Sequence, residues 1–86
     1  MAKITIFYLE NCPYCVKARK AVAELGLNPA DILWIEESRQ PEVADRYDYY
    51  HVPTVYVGGE KLYECSPGDG YEVIKAGIKA ALEKAV

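Results

Sequence analysis

Hydrophobic positions along this chain switch repeatedly between the alternation of a strand and the wider spacing of a helix face, and each switch marks a change of element. Lys3 to Leu9 reads Lys-Ile-Thr-Ile-Phe-Tyr-Leu, rich in β-branched and aromatic side chains, which predicts a buried first strand ending at Glu10-Asn11. Ala18, Ala21, Val22 and Leu25 then recur at helical spacing, so a helix should run from Pro13 towards Gly26. Proline suits a first helical position because the N–H it lacks would have no partner there, and Gly26 sits where a left-handed stop is expected. Asp31 to Glu36 contains Ile-Leu-Trp-Ile, a second short strand.

A second helix of about two to three turns is expected from near Pro41 to Asp48, with Ser38 or Gln40 just upstream. Pro53 to Val57 reads as a third strand and Lys61 to Glu64 as a fourth, joined through Gly58-Gly59 into a hairpin, since glycine supplies the positive φ of a tight turn. Ser66-Pro67-Gly68-Asp69-Gly70 is a turn offering Ser66 and Asp69 as helix caps. The last helix carries Tyr71, Ile74, Ile78, Ala81, Leu82 and Ala85 on one face, with Lys75, Lys79, Glu83 and Lys84 largely outward. The predicted order is β-α-β-α-β-β-α. A helix between the first two strands makes them parallel and the tight turn makes the last two antiparallel, giving an α/β fold with a four-stranded mixed sheet and three flanking helices.

The length of 86 residues, 51% of them hydrophobic, and the absence of repeats or linkers point to one domain over residues 1–86. A chain of this size should bury roughly two thirds of its unfolded surface and needs no disulfide staples. No stretch approaches the ~18 apolar residues of a membrane span. The segment Met1 to Tyr8 is too short for a secretory core and has no cleavage site behind it. Three cysteines, two of them crowded together, do not resemble a secreted disulfide framework, so a cytoplasmic location is expected. A net charge of −3, with basic residues clustered only at Lys17, Arg19 and Lys20, argues against nucleic acid. The eight tyrosines fall mostly in predicted strands and at helix starts, which favours packing over base stacking.

Candidate chemistry lies at Cys12-Pro13-Tyr14-Cys15, between the first strand and the first helix. The unpaired N–H groups and positive dipole end of a helix favour thiolate over thiol, and such placement can lower a cysteine pKa from ~8.5 to roughly 3.5–7.5. Cys12 is the expected nucleophile. Residues three apart on a helix share a face, so Cys15 can reach a mixed disulfide on Cys12 and resolve it. Lys17 and Arg19 are expected to add positive potential, ranked below the helix terminus. Two alternatives attach to neighbouring residues. The cysteine pair could be half of a zinc site with His51 and Cys65, although structural zinc sites pair two close doublets and these two are far apart in sequence. Cys65 reads better as a buried or hairpin-end thiol. His51 reads either as an imidazole near the dithiol or as an exposed loop residue. Val52-Pro53 heads the third strand, a position where proline is tolerated and where the peptide bond can be cis or trans.

With both features in place, the chain resembles the dithiol glutaredoxins of the thioredoxin-fold superfamily along nearly its whole length. Cys12-Pro13-Tyr14-Cys15 followed by Val16-Lys17-Ala18-Arg19 is similar to that family's active site, and Val52-Pro53 to its cis-proline segment. The resemblance implies reduction of protein disulfides and protein-glutathione mixed disulfides, with glutathione as co-substrate and no metal or organic cofactor. It also implies glutathione contacts at Tyr14, Val52 and Pro53, and at Gly68, Asp69 and Gly70 opening the final helix. The chain departs from the family pattern at Leu9, where a lysine is usual, at His51, where a threonine is usual, and in the loop Tyr63 to Asp69. Those departures keep a second reading open: a glutaredoxin-like redoxin that is reduced by thioredoxin reductase and donates electrons to ribonucleotide reductase. A non-catalytic metal-binding or interaction module is the reading from a different class. The expected partners are glutathione and disulfide-bearing client proteins, and the expected state is a monomer.

Overall fold

The computed structural model describes residues 3–26 and 31–84. Its elements run β1 (Ile4–Tyr8), α1 (Pro13–Glu24), β2 (Ile32–Glu36), α2 (Pro41–Ala44), β3 (Thr54–Val57), β4 (Glu60–Glu64) and α3 (Tyr71–Glu83), in the expected β-α-β-α-β-β-α order. The four strands form one sheet in the order β2-β1-β3-β4. β1 and β2 are parallel, with Ile4 beside Ile32, whereas β1 with β3 and β3 with β4 are antiparallel. Ala85, placed on the α3 face from sequence, lies outside the described residues.

Strand alternation sorts the side chains into two cores. Ile4, Ile6, Ile32, Val55 and Val57 point to the face covered by α1 and α3, where they meet Ala18, Ala21, Val22, Ile74, Ile78 and Leu82. Phe7, Ile35 and Tyr56 point to the opposite face and pack with Val43, Tyr47, Tyr49 and Val52. That second core is aromatic: the Phe7 ring lies 4.7 Å from Tyr47, 5.0 Å from Tyr49 and 5.8 Å from Tyr56 between centroids. Tyrosine here is packing material, except at Tyr50, which is 84% exposed.

Two expectations are corrected. The second helix stops at Ala44, one turn long instead of reaching Asp48. Beyond it the backbone tightens into short-range bonds, Arg46 to Val43 and Tyr47 to Ala44, and the chain turns to bring Tyr47 and Tyr49 onto Phe7. The cap of α3 is Gly70, with neither Ser66 nor Asp69 in that role, and no side chain caps the helix. Asp69 Oδ2 is engaged within its own loop, accepting from the Ser66 N–H and the Tyr63 hydroxyl, both at 3.0 Å. The first helix behaves as read: Pro13 occupies its first turn and Gly26 follows with φ of 73°.

Gly77 of α3 lies directly against the Tyr63 ring of β4. A Cβ built there would lie 2.3 Å from Cδ1 of Tyr63, well inside contact distance. Alanine would gain about 1 kcal/mol of helix propensity, but displacing a ring that is also bonded to Asp69 costs about 1–3 kcal/mol by overpacking. Gly77→Ala should therefore lower the melting temperature followed by circular dichroism, by about 5 °C for each net kcal/mol lost. An unchanged or raised melting temperature would show that Tyr63 yields freely.

Candidate functional site

The antiparallel pairing of β1 with β3 sets Phe7 opposite Thr54, so the loop leaving β1 and the loop entering β3 lie side by side. The first carries Cys12 and the second carries Val52. Cys12 has extended backbone angles and is the N-cap of α1, its carbonyl accepting from the N–H groups of Cys15 and Val16 at 3.0 and 3.1 Å. Its Sγ lies 4.0 Å from the Val52 carbonyl oxygen, and the Val52–Pro53 peptide is cis.

The two sulfurs occupy different environments. Cys12 is partly exposed and Cys15 is buried, and both are free thiols. Cys15 Sγ accepts the Leu9 N–H at 3.3 Å. Burial, outweighing that bond and reinforced by the neighbouring Cys12 sulfur, pushes the Cys15 thiol up to about 12. Cys15 thus rests as a protonated thiol behind an accessible partner. Cys65 follows β4, buried, its N–H bonded to the Pro53 carbonyl at 3.0 Å. Burial and then the Asp69 carboxylate raise its pKa, the environment of a packed thiol.

A cleft of about 260 Å³ opens beside Cys12 and is lined by Leu9, Tyr14, Glu37, His51, Val52 and Pro67 among others. It collects the predicted residues unevenly. Tyr14 borders it, but the Tyr14 hydroxyl also accepts the Gly68 N–H at 2.9 Å and so fastens the final loop to the cysteine motif. Pro53 is buried and supports the cleft from below through its bond to Cys65. Gly68, Asp69 and Gly70 form the turn before α3, with Asp69 turned inward to Ser66 and Tyr63. Lys17 rests 5.4 Å from the Tyr14 ring centroid. Arg19 lies outside the cleft lining: its guanidinium sits 4.5 Å from the Tyr8 ring and lines a separate groove with Val22, Ala23 and Trp34, where cation–π attraction holds it. His51 is exposed and borders the cleft, which joins its two readings in one position. Among the described residues no group of three or more His, Cys, Asp or Glu is arranged to hold a metal ion.

Sequence reasoning missed two carboxylates that shape this site. Glu64 Oε2 accepts the consecutive N–H groups of Tyr50 and His51 at 2.7 and 2.8 Å, while its Oε1 meets Lys61 Nζ at 2.8 Å. Burial opposes its charge, yet the Lys61 ammonium and the two N–H groups outweigh it and hold the carboxyl below its usual value. The segment before Pro53 is thereby pinned to β4, and the Thr54 hydroxyl, donating to the His51 carbonyl, pins it again. Glu36, at the end of β2, accepts from the Ser38 hydroxyl and N–H and from the Glu10 N–H, bracing the loop that leads to Cys12. No local pattern flags their bracing role, because the N–H groups of Tyr50, His51 and Glu10 are delivered by other loops.

The burial contrast predicts distinct reactivities. In a Cys12→Ser variant, alkylation of Cys15 by iodoacetamide should be very slow at pH 7 and should accelerate only well into the alkaline range, since burial still raises the thiol pKa and leaves the thiolate scarce. Rapid labelling of Cys15 at neutral pH in that variant would contradict the burial argument.

Comparison with known proteins agrees with this geometry. A family model described as Glutaredoxin matches residues 4–62. Among solved structures, the holo form of glutaredoxin C1 from Populus tremula x tremuloides is 18% identical, with a TM-score of 0.60 over 99% of this chain and 87% of that one. Oxidized glutaredoxin 2 from Chlamydomonas reinhardtii is 22% identical, with a TM-score of 0.53 over 98% of this chain and 78% of that one. No curated protein matched in the sequence comparison. At these identities the structures speak for the shared fold, and the family match over residues 4–62 completes the assignment: the chain belongs to the glutaredoxin family.

Proposed function

We propose that this glutaredoxin is a dithiol reductase of protein disulfides and protein-glutathione mixed disulfides, with Cys12 as nucleophile, Cys15 as resolving thiol and glutathione as recycling co-substrate. One observation carries the reading: an accessible sulfur caps a helix while a buried sulfur stands one turn behind it. The thiolate is the form that attacks a disulfide, and Cys12 is the sulfur a client can reach. The thiolate attacks one sulfur of the client disulfide, that bond breaks, and the departing client thiolate takes up a proton. In the dithiol route Cys15 gives up its proton and attacks the Cys12 sulfur, releasing the second client thiol and leaving a Cys12–Cys15 disulfide. Two electrons have then passed to the client, and two glutathione thiols restore the dithiol while forming glutathione disulfide. In the monothiol route, a glutathione thiolate attacks a glutathione held on Cys12 and Cys15 is not needed.

Tyr14, Val52 and Pro53, with Gly68, Asp69 and Gly70, are the residues proposed to border glutathione. Tyr14 and Val52 line the cleft beside Cys12, and the Tyr14–Gly68 bond ties the turn before α3 to the cysteine motif, which supports that reading. A specific observation favours a second electron source. Leu9 stands at the cleft where a family lysine would meet an anionic ligand, and no lysine or arginine is among the residues lining it. Recycling by thioredoxin reductase, with ribonucleotide reductase as client, is the reading that suits a cleft without cations.

Turnover of one disulfide client, coupled either to glutathione with glutathione reductase or to thioredoxin reductase, separates the two. Glutathione should support it, and turnover only with thioredoxin reductase would replace that reading by the second. Cys12→Ser should abolish both activities, and retention of either would remove Cys12 as nucleophile. Cys15→Ser should lose protein-disulfide reduction while keeping deglutathionylation, whereas equal loss of both would refute the monothiol route.

A further inference from the structure

The cleft beside Cys12 has a charge as well as a shape. Of the residues lining it, Glu37 is the one carboxylate, and no lysine or arginine is among them. Its backbone is fixed, the Glu37 N–H donating to the Tyr8 carbonyl at 3.0 Å. Its Oε1 is fixed as well, accepting the Tyr49 hydroxyl at 3.1 Å. Tyr49 is a dependable donor, since burial and then the charge of Glu37 raise its pKa above the ordinary tyrosine value. Glu37 forms none of the ion pairs among the described residues, in contrast to neighbouring Glu10, whose carboxylate is taken by Arg39 at 2.6 Å. The basic residues that follow the cysteine motif are also engaged, Lys17 against Tyr14 and Arg19 against Tyr8. A carboxylate held half-buried on the wall of a reactive cleft, without a cation of its own, is a receptor for one from outside.

We infer that Glu37 selects clients, and that the preferred substrate is a protein disulfide whose cystine is flanked by a lysine or arginine. The inference rests on the dithiol reading of Cys12 and Cys15 and deepens it by naming the client's chemistry. A basic side chain beside the client cystine would pair with the free side of the Glu37 carboxylate while the cystine sulfur meets Cys12. An acidic side chain in the same place would face Glu37 and the Cys12 thiolate together. Attraction of this kind at a partly exposed site is modest, so it biases the choice among clients without determining whether the reaction occurs.

The test uses three disulfide peptides of one backbone, with lysine, glutamine or glutamate beside the cystine, and reads kcat/KM for each at low salt. The lysine peptide should be preferred over the glutamate peptide by about fivefold in the unaltered protein. Glu37→Gln should shrink that ratio by roughly threefold, and Glu37→Lys should invert it. Added salt should compress the ratio in the unaltered protein and leave it nearly flat in Glu37→Gln. A ratio that is the same before and after Glu37→Gln, or a preference for the glutamate peptide, would overturn the role of Glu37. Failure of the dithiol reading would look different, because none of the three peptides would then be reduced.

Discussion

A sulfur at the N-terminus of a helix, facing the carbonyl of a residue forty positions away, is the constraint on which the structure's chemistry depends. Neither half of that arrangement is useful alone. The helix end fixes where the sulfur stands, and the neighbouring strand entrance forms the cleft wall that the sulfur faces. What joins them is the antiparallel register of β1 and β3, in which Phe7 lies across from Thr54. The sheet order, with β1 and β3 adjacent at its centre, therefore has a chemical consequence: it brings two distant loops to one edge.

Carboxylates hold the loops at that edge. Glu64 binds the turn before Pro53, Glu36 binds the turn before Cys12, and Asp69 binds the turn before α3. Each carboxylate satisfies backbone N–H groups that would otherwise need water, and charge-assisted bonds of this type are the stronger class. The aromatic core under Phe7 completes the support, because Tyr49 leads directly into the segment that Glu64 pins and also directs Glu37. Burial divides the labour between the two cysteines. Cys12 is left partly exposed, whereas enclosure keeps Cys15 a protonated thiol.

Much of this was legible in the chain because it depends on local rules. Pro13 opening a helix, Gly26 ending one and Gly58-Gly59 turning a hairpin are backbone constraints carried by single residues, and the structure follows them. The two cores follow from strand alternation in the same way. The features that escaped are tertiary. The second helix ends at Ala44, and the chain beyond it carries Tyr47 and Tyr49 onto Phe7, a packing that local sequence does not show. Arg19 shares the helix of the cysteines but is drawn to Tyr8, and Asp69 serves its own loop instead of capping α3. Glu37 and Glu64 acquire meaning only from groups that the fold delivers to them, Tyr49 in one case and Tyr50 with His51 in the other.

The central claim is that Cys12 alone receives the client and that Cys15 acts only afterwards. Intact-mass and peptide-mapping analysis of the Cys15→Ser protein, quenched after mixing with a disulfide peptide, tests it most directly. The account predicts a single mixed disulfide located on Cys12. An adduct on Cys65, or none on Cys12, would contradict it.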